Sequence, residues 1–340
     1  MKKKTFISVL KEKMAKVTFA KISKLALKNA NNNYKFLKYG NSIKQLHNFN
    51  FNKGDISIVV CGGPSLKRNN QIKTLKKYKD KAVIIAADGS LFYLLRNNIV
   101  PDLVVTLDPH PTRIVRWFGD EKLSRKKIKS DDYFSRQDLD PAFKNELKAN
   151  KKIIKLIDKF ANKLNIAVCT SSSSLVVKRL INTGSKLFWW NPTLDNPEKK
   201  NSLSRKLYFK NKLPLINAGG NVGSAAWMIA DSVICSKKIA LLGMDFGYYL
   251  NTPYENTQYY DGVMKIAKKK DLSIFYKKIY NPILKKYFFT DHAYLWYRDI
   301  FLEMLKIASS KTINCTGGGI LFGKKIGWSS LNNFCKLSFK

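Results

Sequence analysis

Three aspartates, Asp88, Asp108 and Asp245, stand at or just after the end of short apolar runs in the sequence. Carboxylates in such places can hold Mg²⁺ on a diphosphate, bind ribose hydroxyls or act as a general base. The structural alternative is that each carboxylate caps a helix or anchors a loop. The rest of the chain is strongly basic, so carboxylates gathered at one edge of the fold would indicate a functional site.

A glycine-rich turn, Gly62-Gly63-Pro64-Ser65, follows the apolar run SIVVC. Glycines let the backbone turn tightly and approach a ligand closely, and a proline fits the first turn of a helix. We expect this turn to present backbone N–H groups, and the Ser65 hydroxyl, to a phosphate at a helix N-terminus. The turn is neither a Walker A loop nor a G-x-G-x-x-G fingerprint. A plain strand-to-helix turn is the alternative.

A second glycine cluster, NAGGNVGS, contains Gly219, Gly220, Asn221 and Ser224 and precedes an apolar helical run. It too could present backbone donors to an anion. The alternative is that these glycines only allow the helix to pack closely against its neighbours.

Three histidines, His47, His110 and His292, are too dispersed to predict a metal site. His110 follows one of the aspartates closely, and His292 lies in the sequence TDH, so both are candidate acid–base groups. A structural role is the alternative for each of them. The polar run of four serines at 171–174 is a candidate lip of the same cleft.

The elements that must position these residues follow a β-α-β pattern. Short apolar runs alternate with helical segments from about residue 55, which is typical of a parallel sheet covered by helices on both faces. The predicted strands are Ser57–Cys61, Ala82–Ala87, Leu103–Leu107 and Lys238–Leu242. Ligands bind beyond the carboxyl ends of such strands. We therefore predict an α/β, Rossmann-like, mostly parallel sheet with the glycines and aspartates along one edge.

The predicted domain organisation has three parts. Residues 1–50 form a basic N-terminal helical extension, with Phe6, Leu10, Met14 and Val17 on one helical face and a loop at 29–33. Residues 51–330 form the Rossmann-like domain, with an insertion or long loop around 190–214 that carries three prolines. Residues 331–340 form a tail.

The 340 residues carry a formal net charge of +38 and five cysteines, which form no C-x-x-C pair. The charge favours phosphate-bearing partners of any kind, although the lysines are scattered along the chain. No apolar run is long enough for a transmembrane helix, and the N-terminus does not match a secretory signal. We expect a cytoplasmic protein, with peripheral contact to the anionic inner membrane as an open alternative and no specific nucleic-acid partner.

Several motifs occur in an order that resembles the Maf (motility-associated factor) and 6-hydroxymethylpterin diphosphokinase MptE-like (DUF115) superfamily. They are CGGPSL, AADGSL, PDLVVTLDP, NAGGNVGSAAWMIA, ALLGMDFGY and NCTGGGILFG, and they span roughly residues 55–325. The resemblance implies a core similar to the bacterial sialyltransferases that use a CMP-sugar. Maf proteins are associated with glycosylating flagellin with nonulosonic, sialic-acid-like sugars, whereas the MptE branch uses ATP and Mg²⁺.

The resemblance also implies site residues, carried over by motif. The nucleotide would be bound by Gly62, Gly63, Pro64, Ser65, Asp88, Asp108, Gly219, Gly220, Asn221, Ser224, Asn314 and Thr316. The catalytic candidates are Asp245, His292 and Asp108. Two departures from the family pattern stand out. Thr316 is followed by three glycines where a T-E-G-G is usual, and the segment after Asp245 lacks a histidine.

The leading functional expectation is a glycosyltransferase that moves a nonulosonic sugar from a CMP donor to a protein or glycan acceptor. The glycine loops would hold the nucleotide phosphate, and Asp245 or His292 would deprotonate the acceptor hydroxyl. The first alternative is a 6-hydroxymethyl-7,8-dihydropterin diphosphokinase that uses ATP with Mg²⁺. The second is a charge-driven protein of membrane surfaces or nucleic acid.

Overall fold

The computed structural model describes residues 23–136, 140–267 and 271–339. The predicted amphipathic helix from Phe6 to Val17 lies outside the described residues. None of the helices in the described part combines the length and apolar character needed to cross a bilayer.

A large parallel sheet organises the fold, as predicted. In chain order its strands are β1 (Asn41–Ser42), β2 (Ile56–Val60), β3 (Val83–Ala87), β4 (Leu103–Thr106), β5 (Asn165–Cys169), β6 (Lys186–Pro192), β7 (Leu215–Ile216) and β8 (Lys238–Leu242). A three-stranded antiparallel sheet follows, with β9 (Tyr248–Tyr249), β10 (Tyr276–Asn281) and β11 (Lys286–Asp291) in the order β10-β11-β9. The large sheet is completed by β12 (Lys311–Asn314) and β13 (Gly327–Trp328). The order across the large sheet is β1-β6-β5-β4-β3-β2-β8-β12-β13, and β7 pairs with β6.

The order of strands reverses beside β2. From β2 the chain builds the sheet toward β6 on one side, whereas β8 and β12 are added on the other side. The carboxyl ends of β2 and β8 therefore flank a topological switch point, where open α/β sheets bind their ligands.

Twelve α-helices surround the sheets in the described part of the chain. They are α1 (described over 23–33), α2 (Ser65–Arg68), α3 (Ile72–Tyr78), α4 (Asp88–Arg96), α5 (Arg125–Ser130), α6 (Glu146–Phe160), α7 (Ser174–Thr183), α8 (Leu203–Asn211), α9 (Val222–Ser232), α10 (Tyr260–Ala267), α11 (His292–Met304) and α12 (Leu331–Ser338). Short 3₁₀ helices occupy Tyr34–Tyr39, Ile43–Asn48, Ile114–Phe118, Tyr133–Arg136, Pro141–Phe143, Ala161–Lys163, Tyr254–Asn256, Leu272–Phe275 and Leu305–Ile307.

The core has two halves, one on each face of the large sheet. Ile58 and Val60 of β2 pack with α4, α6 and α12, whereas Val59 packs with α9 and α11 on the opposite face. Alternate side chains of a strand point to opposite faces, so both sets must be apolar when helices cover both. All five residues of β2 are buried. This arrangement confirms the predicted fold class.

The structure differs from the predictions in four segments. First, residues 41–50 are not part of a separate extension, because β1 pairs with β6 and Ile43 and Leu46 are buried in the core. Second, residues 29–33 are helical rather than a loop, because Asn29 and Asn33 find hydrogen-bond partners in distant loops.

Third, the region 190–214 is not a long loop, since it contains the end of β6 and all of α8. The Ser202 hydroxyl accepts a hydrogen bond from the Arg205 N–H and so caps α8, and the prolines lie outside that helix. Fourth, the predicted tail at 331–340 includes α12, whose Leu331, Phe334 and Cys335 are buried in the core.

Candidate functional site

The turns after β2 and β8 meet at the switch point. The Gly63 N–H donates a 2.9 Å hydrogen bond to the Gly243 carbonyl oxygen. A Cβ on Gly63 would overlap that oxygen and the Asp245 carboxylate. Gly243 has φ +64°, a left-handed conformation that favours glycine. Glycine at residue 63 is therefore required by the close approach of the two turns.

The Asp245 side chain lies beside Ser65, which is the first residue of α2. The Ser65 hydroxyl donates a 2.8 Å hydrogen bond to one carboxylate oxygen, and the Ser65 N–H lies 3.3 Å from the other. Both residues are buried. The donors that were expected to meet a phosphate are thus engaged by a carboxylate within the protein. Nucleotide binding by Gly62, Gly63, Pro64 and Ser65, and a catalytic role for Asp245, stay predictions.

The segment after β12 closes over Asp245. The Ile320 N–H donates a 2.8 Å hydrogen bond to the Asp245 carbonyl oxygen. A Cβ on Gly318 would lie 2.8 Å from an Asp245 carboxylate oxygen and 2.7 Å from the Tyr249 hydroxyl oxygen. The run of glycines therefore provides the space that this carboxylate occupies.

Asn314 and Thr316 have structural contacts in this closing segment. The Asn314 side chain donates to the Leu321 carbonyl at 2.7 Å and accepts from the Thr316 N–H at 2.9 Å. The Thr316 hydroxyl oxygen accepts from the Met244 N–H at 3.3 Å. Both side chains are buried, and Thr316 ties this segment to the turn after β8. Their predicted contact with nucleotide is untested.

Asp88 is the first residue of α4 and is buried beside the end of β4. Its carboxylate accepts a 2.9 Å hydrogen bond from the Thr106 hydroxyl and a 2.7 Å hydrogen bond from the Gly89 N–H. Burial raises the pKa of Asp88 from 3.8 to about 7, and the nearby charge of Asp108 adds to the increase. The two carboxylates therefore lie within electrostatic range, as the alignment of strand ends predicted.

Asp108 is exposed in the turn after β4. It accepts a 2.7 Å hydrogen bond from the His110 N–H. The His110 ring Nδ1 in turn accepts from the Arg113 N–H at 2.9 Å. Burial, and then the charge of Arg113, lower the pKa of His110. His110 therefore organises the turn that holds Asp108, in agreement with the structural alternative for this histidine.

The second glycine cluster adjoins the first turn. A Cβ on Gly223 would lie 2.8 Å from the Cys61 sulfur, so α9 begins beside the end of β2. The Asn221 side chain caps α9, accepting from the Ser224 N–H and donating to the Ser224 hydroxyl, both at 2.9 Å. Gly219 and Gly220 have φ of +56° and +84°. Asn221 and Ser224 thus hold the helix start, and their predicted contact with nucleotide is untested.

Two aromatic residues that the sequence analysis missed border this loop. A Cβ on Gly220 would lie 2.7 Å from the Tyr297 ring and 3.1 Å from Trp296. The Tyr259 hydroxyl donates a 3.1 Å hydrogen bond to the Tyr297 hydroxyl oxygen. Burial raises the pKa of Tyr297, and the charge of Asp108 contributes. Tyr297 therefore borders the second glycine loop, and Asp108 lies within electrostatic range of its hydroxyl. The aromatic run YLWY at 294–297 was the available signal.

His292 is the first residue of α11, five positions before Tyr297. The preceding Asp291 caps the helix by accepting from the Tyr294 N–H at 2.9 Å, and it also accepts from the Tyr248 hydroxyl at 3.2 Å. Burial raises the pKa of Asp291 from 3.8 to about 6. A catalytic role for His292 stays a prediction.

Helix α1 fixes two of the turns at this edge. The Asn29 side-chain amide donates 2.9 Å hydrogen bonds to the carbonyl oxygens of Pro109 and Ser171. The Asn33 amide donates to the Thr170 carbonyl at 3.0 Å and to the Ser172 carbonyl. Residues 171–173 are buried, so they do not form the exposed polar lip that the serine run suggested. These contacts join sequence positions about 80 and 140 residues apart.

Within the described residues, no group of three or more His, Cys, Asp or Glu side chains is arranged to hold a metal ion. Mg²⁺ bound with a diphosphate needs only one or two protein carboxylates. Asp108 could supply one of these ligands because it is exposed and accepts a single hydrogen bond among the described residues. Asp88 is less suited, since both of its oxygens accept hydrogen bonds inside the protein.

One part of the chain matches a known protein family. Residues 26–130 match the model of the family described as 6-hydroxymethylpterin diphosphokinase MptE-like. This part contains the first glycine turn, Asp88 and Asp108. The resemblance drawn from the motifs is thereby confirmed for this part of the chain. No curated protein matches the sequence.

Among solved structures, the fold is similar to that of the Maf glycosyltransferase from Magnetospirillum magneticum AMB-1. The TM-score is 0.50 and the sequence identity is 14%. The match covers 82% of this chain and 34% of that chain, so this protein corresponds to about a third of the length of that one. At this identity the likeness establishes the fold.

Proposed function

We propose that this protein is a nucleotide-dependent transferase, and specifically a glycosyltransferase that uses a CMP-activated nonulosonic sugar. One observation carries the proposal. The two glycine turns and the carboxylates Asp88 and Asp108 lie along the carboxyl edge of the sheet, on either side of the switch point between β2 and β8, and Tyr297 borders the second turn. Such an edge is where open α/β sheets bind nucleotides. The similarity in fold to a Maf glycosyltransferase supports the choice of glycosyl transfer, and the CMP donor is taken from the motif resemblance.

Asp108 is the best placed of the predicted bases in this proposal. Its carboxylate is exposed and accepts one hydrogen bond among the described residues, from the His110 N–H. A carboxylate in this state can accept the proton of an acceptor hydroxyl. Asp245 is less accessible, because it is 2% exposed and bound by Ser65.

The glycine turns would bind the nucleotide through the backbone. Gly219 and Gly220 precede the N-terminus of α9, an eleven-residue helix whose dipole favours an anion at this end. As the CMP phosphate departs, negative charge develops on it, and fixed N–H donors lower the cost of that charge. The acceptor in this proposal is the hydroxyl of a protein or glycan.

The second candidate is a diphosphokinase that uses ATP and Mg²⁺. The observation in its favour is that the family model matches residues 26–130, which contain both Asp88 and Asp108. When bound, Mg²⁺ would neutralise the diphosphate and orient it for attack. Asp108 would hold the ion on the protein side.

A turnover assay separates the two candidates. The purified chain is incubated with CMP-activated nonulosonic acids and candidate acceptors, or with ATP, Mg²⁺ and a hydroxymethylpterin. Release of CMP in the first mixture supports the glycosyltransferase, and pterin-dependent release of AMP in the second supports the diphosphokinase. CMP release that Asp108→Asn leaves unchanged would remove Asp108 from the catalytic role.

A further inference from the structure

A basic and aromatic surface lies on two segments that are far apart in sequence. We call it the basic–aromatic face and define it as residues 34–39 and 203–212, that is, the first 3₁₀ helix and α8 with its C-terminal lysine. The Lys210 ammonium donates a 2.7 Å hydrogen bond to the Asn31 side chain and lies 5.1 Å from the centre of the Tyr34 ring. Ala26 and Leu207 pack in one small cluster beneath it. The two segments therefore form one continuous surface.

Four large aromatic side chains are exposed on this face. They are Tyr34 at 48%, Tyr39 at 52%, Tyr208 at 37% and Phe209 at 56% of their accessible surface. Exposed apolar side chains that cluster in this way, unlike scattered ones, mark an interaction surface.

The charge of the face has one sign. Its two segments contain six basic residues, Lys35, Lys38, Arg205, Lys206, Lys210 and Lys212, and no Asp or Glu. None of the ion pairs formed between described residues involves these six side chains. The face is therefore complementary to a polyanionic partner.

Cationic side chains lie over the aromatic rings of this face, and this arrangement favours a lipid surface over nucleic acid as the partner. Lys38 lies 5.2 Å from the centre of the Tyr39 ring, and Lys212 and Arg205 lie 4.8 and 5.5 Å from that of Phe209. Nucleobases stack on ring faces that are open, whereas these faces carry cations of the protein itself. At a bilayer interface, by contrast, aromatic side chains sit among the headgroups and lysines reach the lipid phosphates.

We propose that the basic–aromatic face docks this protein on a bilayer surface that contains anionic lipids. Phe209 and the tyrosines enter the interface, and the six basic side chains contact lipid phosphates. The proposal does not depend on the transferase function, because it uses none of the residues assigned to the cleft.

Docking on this face would also place the cleft near the membrane. Helix α1, which precedes the face, binds the Pro109 carbonyl through Asn29, and Pro109 follows Asp108 directly. On the α8 side, the Asn191 amide at the end of β6 donates a 2.7 Å hydrogen bond to Asn211. The face is therefore anchored to the edge of the sheet that holds the candidate site.

The test is co-sedimentation of the full chain with vesicles of phosphatidylglycerol and phosphatidylcholine, with pure phosphatidylcholine vesicles as a reference. The triple variant Arg205→Glu, Lys206→Glu, Lys210→Glu reverses charge on the face. The control variant Lys151→Glu, Lys152→Glu, Lys155→Glu makes the same change of net charge on exposed residues of α6. Each basic residue near an anionic surface contributes about fivefold, so we expect roughly 100-fold weaker partitioning for the face variant. The partitioning of the α6 variant to the same vesicles should change far less.

A second pair of variants tests the aromatic part. Phe209→Ser should weaken vesicle binding, whereas Ile307→Ser, at a residue that is 82% exposed elsewhere, should not. Thermal unfolding of each variant verifies that it is folded.

Several results would overturn the proposal. One is failure of the wild-type chain to bind anionic vesicles. Another is an equal loss of vesicle binding in the face variant and the α6 variant. Equal competition by inorganic phosphate would assign the face to a small anion instead. Loss of oligonucleotide binding by the face variant, with vesicle binding retained, would assign it to nucleic acid.

Discussion

The Ser65 hydroxyl donates a 2.8 Å hydrogen bond to the Asp245 carboxylate, across 180 residues of sequence. This contact joins the turns after β2 and β8 at the point where the order of the sheet reverses. The pair places a buried carboxyl group at the start of α2. We therefore expect a nucleotide phosphate at this edge to bind beside the pair, toward Asp88 and the N-terminus of α9.

Removing the Ser65 hydroxyl should destabilise the fold. Ser65→Ala leaves the buried Asp245 carboxylate with one donor fewer, which costs about 1–3 kcal/mol in the free energy of unfolding. Urea denaturation measures the change. Ser273→Ala, which removes a hydroxyl that binds the exposed Asp271, is the matched control and should change stability by less than about 0.5 kcal/mol. Equal changes in the two variants would show that the Ser65–Asp245 hydrogen bond adds nothing to the free energy of unfolding.

A methyl group at residue 63 should disrupt the meeting of the two turns. Gly63→Ala would place a Cβ against the Gly243 carbonyl and the Asp245 carboxylate, neither of which can move freely. We expect a loss of about 2 kcal/mol or more in the free energy of unfolding. Gly54→Ala has no atom within 4 Å of its new Cβ and is the control. A stable Gly63→Ala protein would contradict the close packing of these turns.

Asp88 should make the stability of the protein depend on pH. Its pKa in the fold is about 7, above the ordinary value of 3.8. The folded state therefore holds the proton more tightly, and the associated stabilisation is present below about pH 4 and is lost as the pH rises through about 7. The loss is at most about 4 kcal/mol.

Asp88→Asn should abolish this part of the pH dependence, because the amide does not ionise. Denaturant unfolding at several pH values between about 4 and 8 compares the variant with the wild type. Asp271→Asn is the control, since hydrogen bonds from Ser273 lower the pKa of this exposed carboxyl and its contribution has the opposite sign. Identical pH profiles for the wild type and Asp88→Asn would show that Asp88 titrates as an ordinary aspartate.

Tyr297 should affect turnover through its hydroxyl. Tyr297→Phe keeps the ring beside Gly220 and removes the hydroxyl that Tyr259 binds. We expect a fall of about tenfold or more in kcat/KM, with little change in thermal stability. Tyr280→Phe, at an exposed tyrosine of the small sheet, is the control. Unchanged kcat/KM would restrict Tyr297 to packing.

The sheet was predictable because its strands are apolar on both faces. The predicted and observed bounds of β8 are identical, and those of β2, β3 and β4 differ by one residue at one or both ends. The convergence of Gly63, Asp88, Asp108 and Asp245 followed from the rule that parallel strands end at one edge. The prediction of helices on both faces followed from the same apolar pattern.

The remaining features depend on contacts between distant parts of the chain. Nothing near Asn29 or Asn33 indicates that their amides bind carbonyls of residues 109 and 170–172, so the asparagine run was interpreted as a loop. Helix α8 lies within a proline-containing segment, and its signal was the Ser202 cap. The pairing of Ser65 with Asp245 is equally long-range, and it changes the role of a turn that was expected to offer Ser65 to a phosphate.

Isothermal titration of the protein with CMP tests the central claim most directly, namely that the carboxyl edge around β2 and β8 binds the nucleotide of a CMP-sugar. We predict saturable binding of one CMP per chain, without a requirement for Mg²⁺, and weaker binding of ATP. The absence of CMP binding at millimolar concentration, or tighter binding of ATP that requires Mg²⁺, would contradict it.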